Sequence, residues 1–286
     1  MRAAPVQRVR ARLEATVGAT ASAAVPRSYQ RVGRVLIVQL PESARPHFQA
    51  IGESYRAEFG VATVLRRAGP MTGEWRLPVT ETIAGDGAET EVLEHGIRYR
   101  FDAARLMFSR GNQSERKRAG DVTRPGETVV DLFAGIGYFT LPAAVIGRAA
   151  RVIACEGNPL ACSYLASNVR RNGVPEVVEV VRGDNRTAPV PHGIADRVFL
   201  GWLPNSLPWV SRALELVRRE GATLHVHVAA PAQEPVAAAE RDASMAVAAA
   251  GGIVESLAGR VVKPYGPGRT HVVVDVRARP PNGIGG

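Results

Sequence analysis

Val129-Val-Asp-Leu-Phe-Ala-Gly-Ile-Gly-Tyr-Phe-Thr140 decides how the rest of the chain is read. An apolar run ends in an acid, a glycine-spaced turn follows, and apolar residues then recur at helical spacing. That order describes a buried strand, a tight loop and the start of a helix. A second apolar run, Arg151-Val-Ile-Ala-Cys-Glu156, also ends in an acid. A glycine loop with an acid at the tip of the next strand is the layout by which a doubly wound sheet holds a nucleoside.

Outward from this stretch, short apolar runs alternate with helical patterns. Strands are expected at 128–132, 151–155, 177–181, 196–200, 221–228 and 270–277, and helices at 138–147, 159–172, 207–219 and 234–251. Such alternation predicts a parallel sheet covered by helices on both faces. The last strand, His271-Val-Val-Val-Asp-Val276, follows the loop Pro264-Tyr-Gly-Pro-Gly268 and is expected to run antiparallel. Upstream, a strand at Arg34–Leu40, an amphipathic helix at His47–Phe59 stopped by Gly60, a strand at Val61–Leu65 and a hairpin over Glu91–Tyr99 indicate a small α+β domain. Val6, Val9 and Leu13 fall at helical spacing in a basic N-terminal segment. The polar stretch Arg105–Arg118 reads as a connection, and Pro280–Gly286 as a disordered tail. The division is therefore a basic segment at 1–26, a small domain at 27–118 and a nucleoside-binding domain at 119–286.

The chain has 286 residues and a formal net charge of +9, carried almost wholly by arginine, since Lys117 and Lys263 are the only lysines. Excess positive charge favours a polyanionic partner; an arginine-rich composition alone would produce the same count. Two cysteines, Cys155 and Cys162, are too few for a disulfide scaffold and point to a reducing compartment, hence a cytoplasmic protein. No apolar run is long enough to span a membrane. Arg2, Arg8, Arg10 and Arg12 precede no continuous apolar core, so no secretory signal is expected.

Several residues suggest chemistry. Gly135 and Gly137 permit close backbone approach, but G-x-G before Tyr138 falls short of the nicotinamide fingerprint and matches the loop of S-adenosylmethionine enzymes. Asp131, Phe133 and Ala134 complete that loop. Glu156 stands about 20 residues on, where a two-oxygen acceptor suits a ribose diol. Gly157 and Asn158 open the next helix. Asp184 and Asn185, after the third strand, suit an adenine edge. Each acid alone would serve equally as a helix N-cap. Gly201, Pro204, Asn205 and Ser206 follow the fourth strand, where Trp202 and Trp209 either stack on a base or pack as core. Ser109 and Arg116 suit an amino-acid carboxylate, or are part of a solvated linker. His225 and His227 share one strand face, with no third ligand evident for a metal. Metal is not expected.

The ordered set Gly73-Glu-Trp-Arg76, Ile83-Ala-Gly85, Glu94-His-Gly-Ile97, Met107-Phe-Ser109 with Gly111-Asn112 and Glu115-Arg-Lys-Arg118, Asp131–Gly137, Glu156-Gly-Asn-Pro159, Asp196-Arg-Val198 with Gly201-Trp-Leu-Pro204, and Lys263-Pro-Tyr265 with His271 resembles one family. It unites the archaeal and eukaryotic tRNA guanine-37 N1-methyltransferases with the wybutosine-synthesising aminocarboxypropyltransferases, over roughly residues 28 to 277. Gly201 stands where the methyltransferase branch carries Asn. Met107-Phe-Ser-Arg-Gly-Asn112 is similar to the aminocarboxypropyl branch, and the N-terminal part looks too short for the methyltransferases' extra domain. Asn205 departs from a place where that branch often has Ser.

The resemblance implies a class I S-adenosylmethionine-dependent methyltransferase-like Rossmann sheet with a small N-terminal α+β domain. It implies transfer of the 3-amino-3-carboxypropyl group of S-adenosylmethionine to the tricyclic guanosine-37 derivative of tRNA(Phe), with release of methylthioadenosine. The donor would lie on Ser109, Arg116, Asp131, Phe133, Ala134, Gly135, Gly137, Glu156, Gly157, Asn158, Asp184, Asn185 and Gly201, and be positioned by Ser109, Arg116, Gly201 and Pro204. No general base is identified. The partner would be the anticodon-loop region of tRNA, met by a monomer. N1-methylation of guanosine and a non-catalytic RNA-binding protein of the same fold are the alternatives.

Overall fold

The computed structural model describes residues 4–280 and divides into two compact units, Met1–Ser109 and Arg110–Gly286. The division falls before the boundary expected after Arg118. The tail beyond Pro280, read above as disordered, lies outside the described residues.

The first unit begins with helices α1 (Pro5–Thr16) and α2 (Ala19–Ala24). Strands β1 (Tyr29–Val32), β2 (Val35–Val38), β3 (Thr63–Arg67) and β4 (Thr80–Ala84) form a sheet in that order, with only β2 and β3 parallel. Helix α3 (Phe48–Phe59) connects β2 to β3 and buries Phe48, Ile51 and Tyr55, one face at helical spacing. Gly60 ends it at φ 59°, donating its N–H to the Arg56 carbonyl. Val9 and Leu13 of α1 are fully buried in the same core, each burial stabilising by about 2 kcal/mol. Strands β5 (Glu89–Glu94) and β6 (Ile97–Asp102) form the expected hairpin, turned by His95 and Gly96, both at positive φ. The sequence reading missed α2, β1 and β4.

The second unit carries a seven-stranded sheet. Its strands are β7 (Thr128–Asp131), β8 (Arg151–Glu156), β9 (Val178–Arg182), β10 (Arg197–Leu200), β11 (Ala222–Pro231), β12 (Ile253–Gly266) and β13 (Arg269–Arg279). The order is β12-β13-β11-β10-β7-β8-β9. Strands β7 to β11 run parallel, and β13 is antiparallel to both β11 and β12. Chain direction across the sheet reverses between β7 and β10, which opens a crevice at their carboxyl ends. Val130, Ile153, Val198, Leu224 and Val274 form the centre of the core. Helices α5 (Thr140–Val145), α6 (Pro159–Arg171), α7 (Val210–Leu216) and α8 (Pro235–Ala249) connect the strands.

Two elements of the second unit differ from expectation. Residues 113–122 form α4 (Gln113–Val122), where a connection was read. Its charges are held by ion pairs, and Ala119 and Gly120 let it approach α5: a Cβ on Gly120 would stand 2.8 Å from the Pro142 carbonyl. Strand β12 was not foreseen. It is a largely exposed edge strand with three register shifts, so its side chains show no clean alternation.

Candidate functional site

The turns leaving β7, β8, β9 and β10 are tied to one another. Asp131 ends β7, fully buried. Its carboxylate accepts hydrogen bonds from the amides of Phe133 (3.1 Å) and Thr140 (3.1 Å) and from the Thr140 hydroxyl (2.8 Å). Burial pushes its pKa up to about 6, against those donors. Asp131 thus clamps the strand end to the start of α5 and shapes the loop from within. Between them Gly135 and Gly137 take φ 57° and 107°. A Cβ at either would collide with the Tyr138 ring (2.5 Å) or the Leu141 side chain (2.7 Å), so no larger residue fits the backbone path.

Glu156 joins the first turn to the second. One carboxylate oxygen accepts from the Gly135 amide (2.7 Å) and the other from the Asn158 amide (2.7 Å). Burial raises its pKa while the amides of Asn158, Gly135 and Gly157 oppose the shift. Asn158 is buried as the N-cap of α6, its side-chain oxygen accepting from the Leu160 amide at 2.9 Å, with Pro159 at the first helical position. Asn185 donates its amide to the Leu132 carbonyl and so fastens the third turn to the first. Asp184 is exposed; hydrogen bonds from Arg186 hold its carboxyl below the usual range. The half-buried carboxylate of Glu156 thus lies beside a loop in which positions 135 and 137 admit only glycine.

The fourth turn lies along β11. The Pro204 carbonyl, after a cis Leu203–Pro204 bond, accepts from the Ala229 amide (2.7 Å). The buried Ser206 hydroxyl donates to the His227 carbonyl (2.8 Å) and accepts from the His227 amide (3.1 Å). A Cβ on Gly201 would stand 2.7 Å from the Phe139 ring. Trp202 and Trp209 pack on Phe133, with ring centroids 5.4 and 5.1 Å away. Both tryptophans stay half-buried.

Arg116 lies on α4, 2% exposed. Burial lowers the pKa of Lys263, and the Arg116 charge adds to that. Ser109 ends the first unit. Cys155 and Cys162 are both buried, and the Cys162 thiol donates to the Glu156 carbonyl.

Sequence reasoning missed a buried polar layer on one face of β11 and β13. Arg118 donates to both oxygens of Asp275 (2.9 and 2.7 Å), and His225 Nδ1 stands 2.6 Å from Asp275 Oδ1. Arg197 reaches His225 Nε2 (2.7 Å) and pairs with both oxygens of Glu127 at 2.8 Å. His227 Nδ1 stands 2.9 Å from His271 Nε2. The available signal was the two-residue spacing of His225 and His227, and the four-residue spacing of His271 and Asp275, which places each pair on one strand face.

Two family models match the chain in order: the TYW2 N-terminal domain over residues 9–88 and the TRM5/TYW2 methyltransferase domain over residues 90–249. The chain is similar to a tRNA(Phe) (4-demethylwyosine(37)-C(7)) aminocarboxypropyltransferase of Pyrococcus horikoshii. The two are 37% identical over 257 residues, 88% of this chain and 90% of that protein. It is 38% identical over 208 residues to a human tRNA wybutosine-synthesizing protein 2 homolog, covering 71% of this chain but only 46% of that protein's length. The crystal structure of P. horikoshii TYW2 in complex with MeSAdo superposes with a TM-score of 0.83 at 33% identity, covering 96% of this chain and 99% of that one.

Proposed function

The chain belongs to the TRM5/TYW2 methyltransferase-domain family, and on that footing we propose that it is an S-adenosylmethionine-dependent tRNA aminocarboxypropyltransferase. It moves the 3-amino-3-carboxypropyl group to C7 of the tricyclic guanosine derivative at position 37 of tRNA(Phe) and releases methylthioadenosine. The observation that carries the reading is the extent of the likeness: a TYW2 N-terminal domain is matched at 9–88, and the archaeal aminocarboxypropyltransferase is matched over 90% of its own length. Gly201, in place of the Asn of the methylating branch, agrees with it.

The nucleoside of the donor rests on the loop Phe133-Ala-Gly135 and Gly137. Glu156 holds the ribose, and Asp184 and Asn185 the adenine. Asp131, Gly157 and Asn158 keep these groups in place through the hydrogen bonds described above. Arg116 and Ser109 bind the donor's carboxylate, and Gly201 and Pro204 shape the wall beside its sulfur. A sulfonium carries three carbons, and the carbon aligned with the attacking atom is the one transferred. Positioning supplies most of the rate, because the sulfonium is already a good leaving group.

The tRNA partner meets residues 27–118 and the basic segment 1–26. Arginines such as the exposed Arg12 take backbone phosphates near the anticodon loop. We assign the active form to a monomer and its compartment to the cytoplasm, in keeping with the charge and the two free cysteines. Among the described residues no helix is long and apolar enough to cross a membrane.

Mass spectrometry of nucleosides from tRNA(Phe) carrying 4-demethylwyosine tests the proposal. Incubation with the protein and donor should add the aminocarboxypropyl mass to that nucleoside alone. A single added methyl on a parallel tRNA sample with unmodified guanosine-37 would favour N1-methylation instead.

A further inference from the structure

The motif Gly73-Glu-Trp-Arg76 takes no part in the donor site. It forms the tip of the loop connecting β3 to β4, residues 68–79. This loop is a built hairpin. The Ala68 amide donates to the Val79 carbonyl (2.9 Å), and Thr72 and Leu77 exchange both of their backbone hydrogen bonds (3.0 and 2.9 Å). The Arg76 amide donates to the Gly73 carbonyl (3.1 Å) and closes the tip. Pro70 and Pro78 stiffen the two arms. Gly73 and Arg76 take φ 71° and 51°. For Arg76, which carries a Cβ, that left-handed conformation costs free energy. Backbone strain of this kind gathers where a loop's shape serves a contact.

The side chain that this hairpin holds out is an indole. Trp75 is 48% exposed, and Met71 on the same loop is 41% exposed. Trp202 and Trp209 lay their rings against Phe133, whereas no ring of a described residue stacks on Trp75. Keeping an indole face in water is unfavourable. Arg67, exposed at the end of β3, and Arg76 stand against Glu74 alone, so the loop is net positive. Two apolar side chains make too small a patch for a stable protein interface, which takes about 800 Å² from each partner. One ring face is what an unpaired base requires, and an arginine close by suits the phosphate next to that base.

We propose that Trp75 is a stacking platform for an unpaired base of the tRNA, an assignment that rests on the tRNA substrate proposed above. The indole covers one face of the base, and Arg67 takes an adjoining phosphate. Every base has such a face, so the contact reads no base edge. It selects by pairing state instead. A base inside a stem already stacks on its neighbours above and below, and only a base in a loop has a face to offer. The platform therefore favours a loop over a stem.

The test uses the full chain labelled with 5-fluorotryptophan, which gives three fluorine resonances, one for each tryptophan. The resonance of Trp75 is the one lost in Trp75→Phe. The probes are intact tRNA(Phe) and a blunt RNA duplex with no unpaired base. The tRNA should move the Trp75 resonance and saturate it at the affinity measured by direct binding, while the bound duplex leaves it in place. Trp75→Ala should weaken tRNA binding about 5- to 150-fold. That factor should be the same at low and high salt, because an indole neutralises no phosphate. Donor affinity should not change, and Trp75→Phe should recover most of the loss. A Trp75 resonance that stays still with tRNA bound overturns the proposal whether or not the variants fold, as does a folded Trp75→Ala with wild-type affinity. A shift on raising protein concentration alone would place a second copy on the loop and overturn it too. Failure of the wild-type chain to bind tRNA(Phe) at all sinks the tRNA reading itself, and this contact with it.

Discussion

The Phe139 ring occupies the space that a side chain at Gly201 would need. The approach is 2.7 Å from an ideal Cβ, and the ring is confined between Phe199 and His227, with centroids 5.3 and 5.1 Å away. The wall of the crevice at the fourth turn is therefore set by an aromatic side chain from the first turn.

Gly201→Ala should push Phe139 off its stack. Overpacking of this kind costs about 1–3 kcal/mol, to be read as a lower urea midpoint at unchanged slope. Donor turnover should fall more than stability predicts, because the displaced ring lines the crevice. Phe139→Leu in the same background should restore part of both by making room.

Glu156→Gln leaves one amide of the Gly135–Asn158 bridge without an acceptor and removes the charge proposed to hold the ribose. Loss of one hydrogen bond to a charged group amounts to about 1.5–3 kcal/mol. Donor affinity should weaken at least about tenfold by calorimetry, while tRNA affinity stays near the wild-type value.

Asp275 holds a pKa below the ordinary carboxylate range: burial raises it, but hydrogen bonds from His225 and Arg118 more than offset this. A lowered folded-state pKa contributes stability above the unfolded value, and that contribution is lost as the pH falls through the folded one. Asp275→Asn should therefore cost about 3 kcal/mol near neutrality. The gap between variant and wild type should narrow in urea titrations below the ordinary carboxylate range. A gap independent of pH would show that the ion pairs to Asp275 contribute nothing.

Affinity for tRNA should fall steeply as salt rises, with log K linear in log salt concentration. Arg12→Ala should weaken binding to all tRNA sequences alike and flatten that slope by about one unit. An unchanged slope would remove Arg12 from the phosphate contacts.

The sequence made the central parallel strands legible because they are buried on both faces and carry unbroken apolar runs, as Val152–Cys155 and Val198–Leu200 do. The late antiparallel strand β13 was legible for the same reason. Helix α4 was not, since it is held by ion pairs and by the close approach of Ala119 and Gly120, neither of which leaves an apolar stripe. Strand β12 was hidden by its bulges and exposure. At the site, the glycines and acids could be read at strand ends, but the direction of their side chains could not. Asp131 turns inward to Thr140, and Asn185 reaches back to Leu132. The histidine pair was invisible because its members lie on strands joined only in space.

The small molecule left over from the donor bears most directly on the central claim. A purified reaction with S-adenosylmethionine and tRNA(Phe) carrying 4-demethylwyosine, resolved by liquid chromatography, should yield methylthioadenosine in step with modified tRNA. S-adenosylhomocysteine in its place would mean that the methyl, not the longer arm, is presented to the base, and would contradict the account.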